Sequence, residues 1–387
     1  MTQIRFERDK PTGLYLHIPF CERKCPYCDF NSYAGQEDLY RPFARALAHE
    51  IRTWGERLAH PPLRSVFLGG GTPTVLPPDA LEDILIAVHE AFAIRPPTEI
   101  TVEANPGTTD RALFRLLRDL GVNRLSVGAQ SFREEELRFL GRIHTVEDIY
   151  RAVEQARAVG FDNVSLDVIY GLPGQTPEEW AVSLRAAVSL DVEHLSCYAL
   201  TVEPHTPLAR WVAEGRVPPV DEDVQGDLYD ATRAFLAQAG YIHYEISNWA
   251  RPGRESVHNR VYWWYEPYLG LGPGAHSFDG VRRAWTILSP REYIRRVRAG
   301  ESPLAGGETL SLPTRRSEAM ILGLRLLVEG VSRRRFRRLF GTDPLDVFAD
   351  PVERFRAVGL LAVRGDRILL TERAYAVANQ VFQAFLA

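Results

Sequence analysis

The chain has 387 residues, an apolar fraction of 45% and a formal charge of −4. It can bury a large core, and it lacks the basic balance expected where nucleic acid is the main partner. No apolar run reaches spanning length, the start (residues 1–8) is too polar for a secretory signal, and four cysteines in so long a chain indicate a reducing, cytoplasmic setting.

Short β-rich runs alternate with helical stretches. Residues 13–18 read as a first strand and 39–58 as an amphipathic helix. Residues 65–68 form a second strand that runs into Gly69-Gly70-Gly71-Thr72-Pro73, and 78–92 are helical, with Asp79 and Glu82 favouring the N-terminus. Strands over 99–104, 124–128, 163–169 and 194–200 follow. Helices over 110–120, 146–159 and 177–189 separate them, the first two closed by Gly121 and Gly160.

Six β-α alternations with short connections require a parallel sheet, curled by right-handed crossovers with its helices outside. A closed eight-stranded barrel would need two more units, and the alternation fades after Thr201. The expected class is therefore α/β, an open partial (β/α)6 barrel, with its chemistry at the C-terminal ends of the strands. Residues 202–240 read as linker and helices, and 241–247 as another strand. The stretch 251–280, rich in aromatics and glycine, reads as a covering lobe. Residues 310–387 carry helices near 316–328 and 332–339 and a hairpin over 361–371, a winged-helix-like pattern. The expected domains are a barrel over 1–205, a covering lobe and linker over 206–300, and a C-terminal domain over 301–387.

Cys21, Cys25 and Cys28 form a C-x3-C-x2-C loop directly after the first strand; the only other cysteine, Cys197, falls inside a strand and reads as a buried apolar residue. Three thiolates can hold three corners of a cubane iron–sulfur cluster and leave one iron open. The same spacing suits zinc, which normally takes four ligands, with His17 as the fourth. His17 lies in an apolar strand and reads more simply as a packed group. The triple glycine exposes backbone amides to a ligand or forms only a tight turn; no Gly-Lys-Ser/Thr follows, so it is no P-loop. Glu103, Gln130 and Asp167 sit at strand ends and Arg142 just beyond one, where they face a common cavity or serve as rim salt bridges and caps.

Together, Cys21-Glu-Arg-Lys-Cys-Pro-Tyr-Cys28 and Gly69-Gly-Gly-Thr-Pro73 resemble the radical S-adenosylmethionine (SAM) superfamily. Its members hold an open-iron [4Fe–4S] cluster on the first βα loop, and the cluster cleaves SAM to a 5′-deoxyadenosyl radical. Val127-Gly-Ala-Gln-Ser-Phe132, Gly171-Leu-Pro-Gly-Gln-Thr176, Tyr244-Glu-Ile-Ser-Asn248 and His258-Asn-Arg-Val-Tyr-Trp263 resemble the oxygen-independent coproporphyrinogen III oxidase subgroup, with its haem-chaperone branch. The resemblance implies cluster ligation by Cys21, Cys25 and Cys28. It implies SAM contacts from Tyr15, Tyr27, Gly70, Gly71, Thr72 and Glu103, and a second SAM pocket at Gln130, Arg142 and Asp167 with Ala199 nearby. Phe30 stands where the oxidases carry a further cysteine, and the N-terminal extension is short. Both departures favour the haem-chaperone branch, in which His258, Asn259, Tyr262 and Trp263 match the haem-associated motif; the bland alternative is that His258 and Trp263 pin the covering lobe to the barrel. Haem binding and transfer is the implied function, with oxidative decarboxylation of coproporphyrinogen III as the alternative. Haem, haem-acceptor proteins such as membrane-bound respiratory enzymes, and a second copy of the chain are the implied partners.

Overall fold

The computed structural model describes residues 4, 6 and 12–386; the other positions of the polar start lie outside the described residues. The barrel half runs β1 (Thr12–Ile18), α1 (Tyr40–Leu58), β2 (Leu63–Gly70), α2 (Pro78–Ala91), β3 (Glu99–Ala104), α3 (Arg111–Asp119) and β4 (Arg124–Gln130). It continues through α4 (Glu134–Phe139), α5 (Val146–Ala158), β5 (Val164–Tyr170), α6 (Pro177–Ser189) and β6 (His194–Ala199). β1 to β6 pair in sequence order, all parallel. The helices begin where their caps dictate: Thr145 and Thr176 each close a capping box at the start of α5 and α6.

Strand alternation sorts these side chains into two layers. Leu14, Leu16, Val66, Leu68, Ile100, Val102, Leu125, Val127, Leu166, Val168, Leu195 and Cys197 join the buried core with the helices. The alternate positions, among them Tyr15, Phe67, Glu103, Ser126, Asp167 and Tyr198, line cavities inside the barrel. Cys197 is thus a core residue, as its strand position implied.

Residues 206–300, expected as a covering lobe and linker, add strands to the main sheet and place a helix beneath it. They comprise α7 (Pro207–Ala213), α8 (Glu222–Gln238), β7 (Ile242–Glu245), β8 (Asn248–Ala250), α9 (Val257–Trp263), β9 (Tyr268–Leu271), β10 (His276–Phe278), β11 (Arg282–Thr286) and α10 (Pro290–Arg298), with β12 (Leu304–Thr309) following. Among the described residues one twelve-stranded open sheet results, in the order β12-β11-β10-β9-β1-β2-β3-β4-β5-β6-β8-β7. The strand expected over 241–247 is a tight antiparallel hairpin, β7 with β8, on the far edge. β9 adds a further parallel partner to β1, a long-range pairing that no local periodicity announces. α9 packs under the N-terminal ends of the strands and closes the barrel floor: Glu99, the first residue of β3, accepts from the Val257 and His258 amides at 3.0 Å each.

The C-terminal part holds α11 (Leu312–Leu324), β13 (Val331–Ser332), α12 (Arg333–Phe340), α13 (Pro344–Val347), α14 (Ala349–Ala357), β14 (Leu361–Arg364), β15 (Arg367–Leu370) and α15 (Ala378–Gln383). Its helices and three-stranded wing, ordered β13-β15-β14, match the winged-helix-like expectation. It has its own core around Met320, Leu324, Phe336, Ile368 and Phe385, which takes in Tyr265 from the turn after α9 and Phe278 from β10. Among the described residues no helix is long and apolar enough to cross a membrane.

Candidate functional site

The loop after β1 is pinned before it turns to its thiols. Cys21 N donates to Tyr33 O at 3.0 Å and Tyr33 N to Pro19 O at 2.8 Å, closing the loop at its base. Asn31 Nδ2 donates to the Pro273 and Leu288 carbonyls at 3.0 Å each, tying the loop to the β9–β10 side of the sheet. Lys24 Nζ donates to Phe30 O at 3.0 Å. His17 is engaged through both ring nitrogens, Nδ1 with the Tyr15 hydroxyl at 2.9 Å and Nε2 with Asn31 O at 2.8 Å. It is therefore a packed support and not a fourth ligand.

Held this way, Cys21, Cys25 and Cys28 line one cavity of about 410 Å³ at the C-terminal end of the strands. All three are free thiols. Burial pushes the Cys21 and Cys28 thiols up, so a cationic guest is needed to hold them as thiolates. Thr72 Oγ1 donates to Cys21 Sγ at 3.6 Å and Arg142 Nη1 to Cys25 Sγ at 3.5 Å. Among the described residues no three His, Cys, Asp or Glu side chains are arranged to hold a metal ion directly. Three separated thiols around an open cavity suit a guest that is itself several atoms across. On the chemistry of the donor set, a [4Fe–4S] cluster fits and a compact zinc site does not.

The glycine run is demanded by close approach. A Cβ on Gly71 would lie 2.3 Å from the Phe20 carbonyl oxygen, and one on Gly70 (φ +111°) would strike the His17 ring at 2.5 Å. These glycines let β2 close against the root of the cysteine loop, and Gly70, Gly71 and Thr72 line the cavity as a consequence. Glu103 Oε2 accepts from Gly70 N at 3.1 Å. Burial, and then the neighbouring Asp167, push the Glu103 carboxyl up to about 8. Asp167, held by Ser126 Oγ at 3.1 and 3.2 Å, is likewise raised by burial. Gln130 enters through irregular backbone: the β4–β5 register shifts between Val127 and Gln130, and Gln130 takes φ +65°. Arg142 donates to Gly128 O at 3.1 Å, while its buried Nε has no partner among the described residues. Tyr27 and Ala199 complete the sequence-derived residues on this wall.

Two of the sequence-derived residues sit away from the wall of this cavity. Tyr15 does not line this cavity; it sits one layer lower, in an inner chamber of about 220 Å³ that shares Glu103, Ser126, Asp167 and Tyr198 with it. His258, expected in the haem-associated motif, lies on the opposite side of the sheet's strand ends, at the barrel floor. It is 1% exposed at the barrel floor, with Nδ1 on the Ser65 hydroxyl and Nε2 on the Tyr262 hydroxyl, both at 2.9 Å, and burial pushes it down to about 3. Asn259 lines the inner chamber, and Trp263 lies under the Arg325 guanidinium at 4.3 Å. The motif 258–263 is the floor of the barrel, with every imidazole nitrogen satisfied inside the protein. Sequence reasoning missed Arg124, Ser126 and Tyr198. The period of two along β4 and β6 carries that signal, since inward positions of a strand already holding Gln130 share its face.

Comparison with known proteins agrees with the geometry. Residues 15–187 match the radical SAM superfamily and residues 310–377 the HemN C-terminal domain. The heme chaperone HemW of Bacillus subtilis is 35% identical over 375 residues, covering 96% of this chain and 98% of the relative. That of Mycobacterium tuberculosis is 37% identical over 380 residues, 97% and 95% respectively. Coproporphyrinogen III oxidase (HemN) from Escherichia coli, a radical SAM enzyme, superposes with a TM-score of 0.85 at 26% identity, covering 98% of this chain and 91% of that one.

Proposed function

The chain belongs to the heme chaperone HemW family within the radical SAM superfamily, and from that premise we propose that it binds haem and passes it to acceptor proteins. The observation that carries this reading is the span of the relationship, which runs through the barrel, the floor helix and the C-terminal domain alike. We place the protein in the cytoplasm, with membrane-bound respiratory enzymes as acceptors and a homodimer as its assembly.

Cys21, Cys25 and Cys28 are the residues that hold a [4Fe–4S] cluster, and Gly70, Gly71, Thr72, Glu103 and Tyr27 those that face SAM. When bound, the cluster supplies an open iron and one-electron reduction. The protein's own part is positional. Arg142 sets a guanidinium beside Cys25, its Nη1 donating to Cys25 Sγ. Glu103 presents a carboxyl whose inner oxygen is fixed by the Gly70 amide, leaving the outer one for a cationic or hydroxyl group. Tyr15 stands in the inner chamber beside Glu103, which both cavities share.

Anaerobically reconstituted protein titrated with haem should give a saturable Soret shift; no shift, with the cluster bound, overturns the reading. A second reading, oxidative decarboxylation of coproporphyrinogen III, is favoured by the superposition on HemN and by Gln130, Arg142 and Asp167 in the cavity neighbourhood. Protoporphyrinogen formation in an anaerobic assay with reductant would put that reading first.

A further inference from the structure

A cavity of about 310 Å³ opens far from the thiol mouth, where the outer rim of the barrel floor meets the C-terminal domain. Five arginines and two glutamates line it. Both glutamates are already engaged. Glu266 accepts from Arg64 at 2.5 Å and from Arg335 at 3.0 Å. Glu329 accepts from Arg260, which lies outside the cavity, at 2.5 Å and from Trp264 Nε1 at 2.8 Å.

The other three cations, Arg334, Arg338 and Arg367, form no ion pair or side-chain hydrogen bond among the described residues. Asp366 is a further carboxylate that acts on Arg334 and Arg367. It is spent on the Ser332 hydroxyl at 2.7 Å and the Arg334 amide at 2.8 Å, and it offsets the Arg334 and Arg367 charges only in part. Elsewhere on this domain arginines find partners readily, as Arg333 and Arg337 do on Asp343. Arg334 and Arg338 are four apart on α12 and therefore share one helix face, where like charges repel unless an anion lies between them. Arg367 joins them from the first residue of β15.

The chemistry of the walls selects the ligand. Arg64 and Arg260 lie over the Trp264 ring at 4.8 and 4.4 Å, so guanidinium groups already occupy its face and it does not offer a flat apolar surface to a macrocycle. What remains is a set of planar donor forks, the geometry that matches tetrahedral and planar oxyanions. We propose that this cavity is a binding site for a phosphate-class oxyanion, with Arg334, Arg338 and Arg367 as its donors. The anion relieves the repulsion on α12 at the seam between barrel and C-terminal domain. A free phosphorylated compound and a phospholipid headgroup carry the same chemistry, and both can reach a cavity at the surface. The site stands apart from the thiol cavity and does not depend on the haem reading.

The test uses the full chain at constant ionic strength, with two probes. Pyrophosphate should raise the unfolding midpoint in a saturable way, or vesicles containing phosphatidylglycerol should co-sediment the protein where phosphatidylcholine vesicles do not. Arg334→Gln and Arg338→Gln should each weaken whichever binding is seen by about tenfold or more, the usual worth of a charge-assisted hydrogen bond. Both side chains are exposed and make no ion pair among the described residues, and losing either one relieves the repulsion on α12, so the ligand-free midpoint should equal or exceed the wild-type value. Arg364→Gln makes the same charge change at an exposed position on β14 outside the cavity and should leave binding unchanged. Pyrophosphate binding that the α12 variants lose identifies a soluble ligand; vesicle binding that they lose identifies a headgroup. Absence of binding to both probes, or equal loss in Arg364→Gln, overturns the proposal.

Discussion

At the mouth of the barrel, Cys25, Arg142, Glu103 and Asp167 look into an open cavity; at the floor, Ser65, Glu99, His258 and Tyr262 look at one another. Both ends are buried, polar and rich in titratable groups. At the mouth, the Glu103 and Asp167 carboxyls are both raised by burial, and Arg142 Nε has no partner among the described residues, as Arg260 Nε and Trp263 Nε1 have none on the floor helix. At the floor each imidazole nitrogen and each oxygen of Glu99 has a protein partner. Residue type and burial are therefore poor guides to function here. The informative quantity is how much hydrogen-bonding and charge capacity the folded chain leaves unmet.

The comparison is broken most decisively at Cys25. Cys25→Ala should abolish the visible absorbance of a reconstituted cluster while leaving the fold intact, because the loop is anchored through Cys21 N, Asn31 and Lys24 and not through the Cys25 thiol. A cluster band that survives would remove the mouth from the chemistry. At the floor, His258→Ala should cost about 3 kcal/mol in denaturant unfolding, since it leaves a cavity and strands the Ser65 and Tyr262 hydroxyls. Its haem affinity should remain that of the wild type once the folded fraction is matched; a selective loss of haem binding would make the floor a haem site after all.

Glu103 sharpens the contrast by pH. Its carboxyl, raised to about 8, is neutral below that value and anionic above it. Affinity for the cationic SAM should therefore increase as pH rises through about 8 in isothermal titration. Glu103→Gln should flatten that dependence and weaken binding at high pH by about tenfold; an unaltered slope would assign the titration to another group. The smallest effect is expected at Phe30, 63% exposed on the rim. Phe30→Ala should change unfolding stability by less than about 0.5 kcal/mol, and a loss above about 1 kcal/mol would mean that the rim is packed against something in solution.

Much of the barrel was legible in order. The helix over 177–189 coincides with α6, and the six strands fall within a residue or two of their expected bounds, because period, caps and glycine stops are local signals. Other features were not local. β9 finds β1 across more than two hundred residues of chain, and the stretch read as a covering lobe supplies strands and the floor helix. The family resemblance implies Tyr15 beside SAM, and strand alternation puts its side chain in the chamber below the mouth, which shares Glu103 with it. The glycine run was expected to make room for a ligand; it also makes room for Phe20 and His17.

From the residues alone came the alternation of strands and helices, the thiol triplet at a strand end and the separate C-terminal module. Each is written in the spacing of near neighbours and needs no distant partner to be recognised. The folded molecule alone decided that His258 meets Ser65, 193 residues away, and that the Arg334, Arg338 and Arg367 side chains form no ion pair among the described residues. Whether a polar group is satisfied depends on which distant side chains arrive beside it, and that is settled only when the chain has closed on itself.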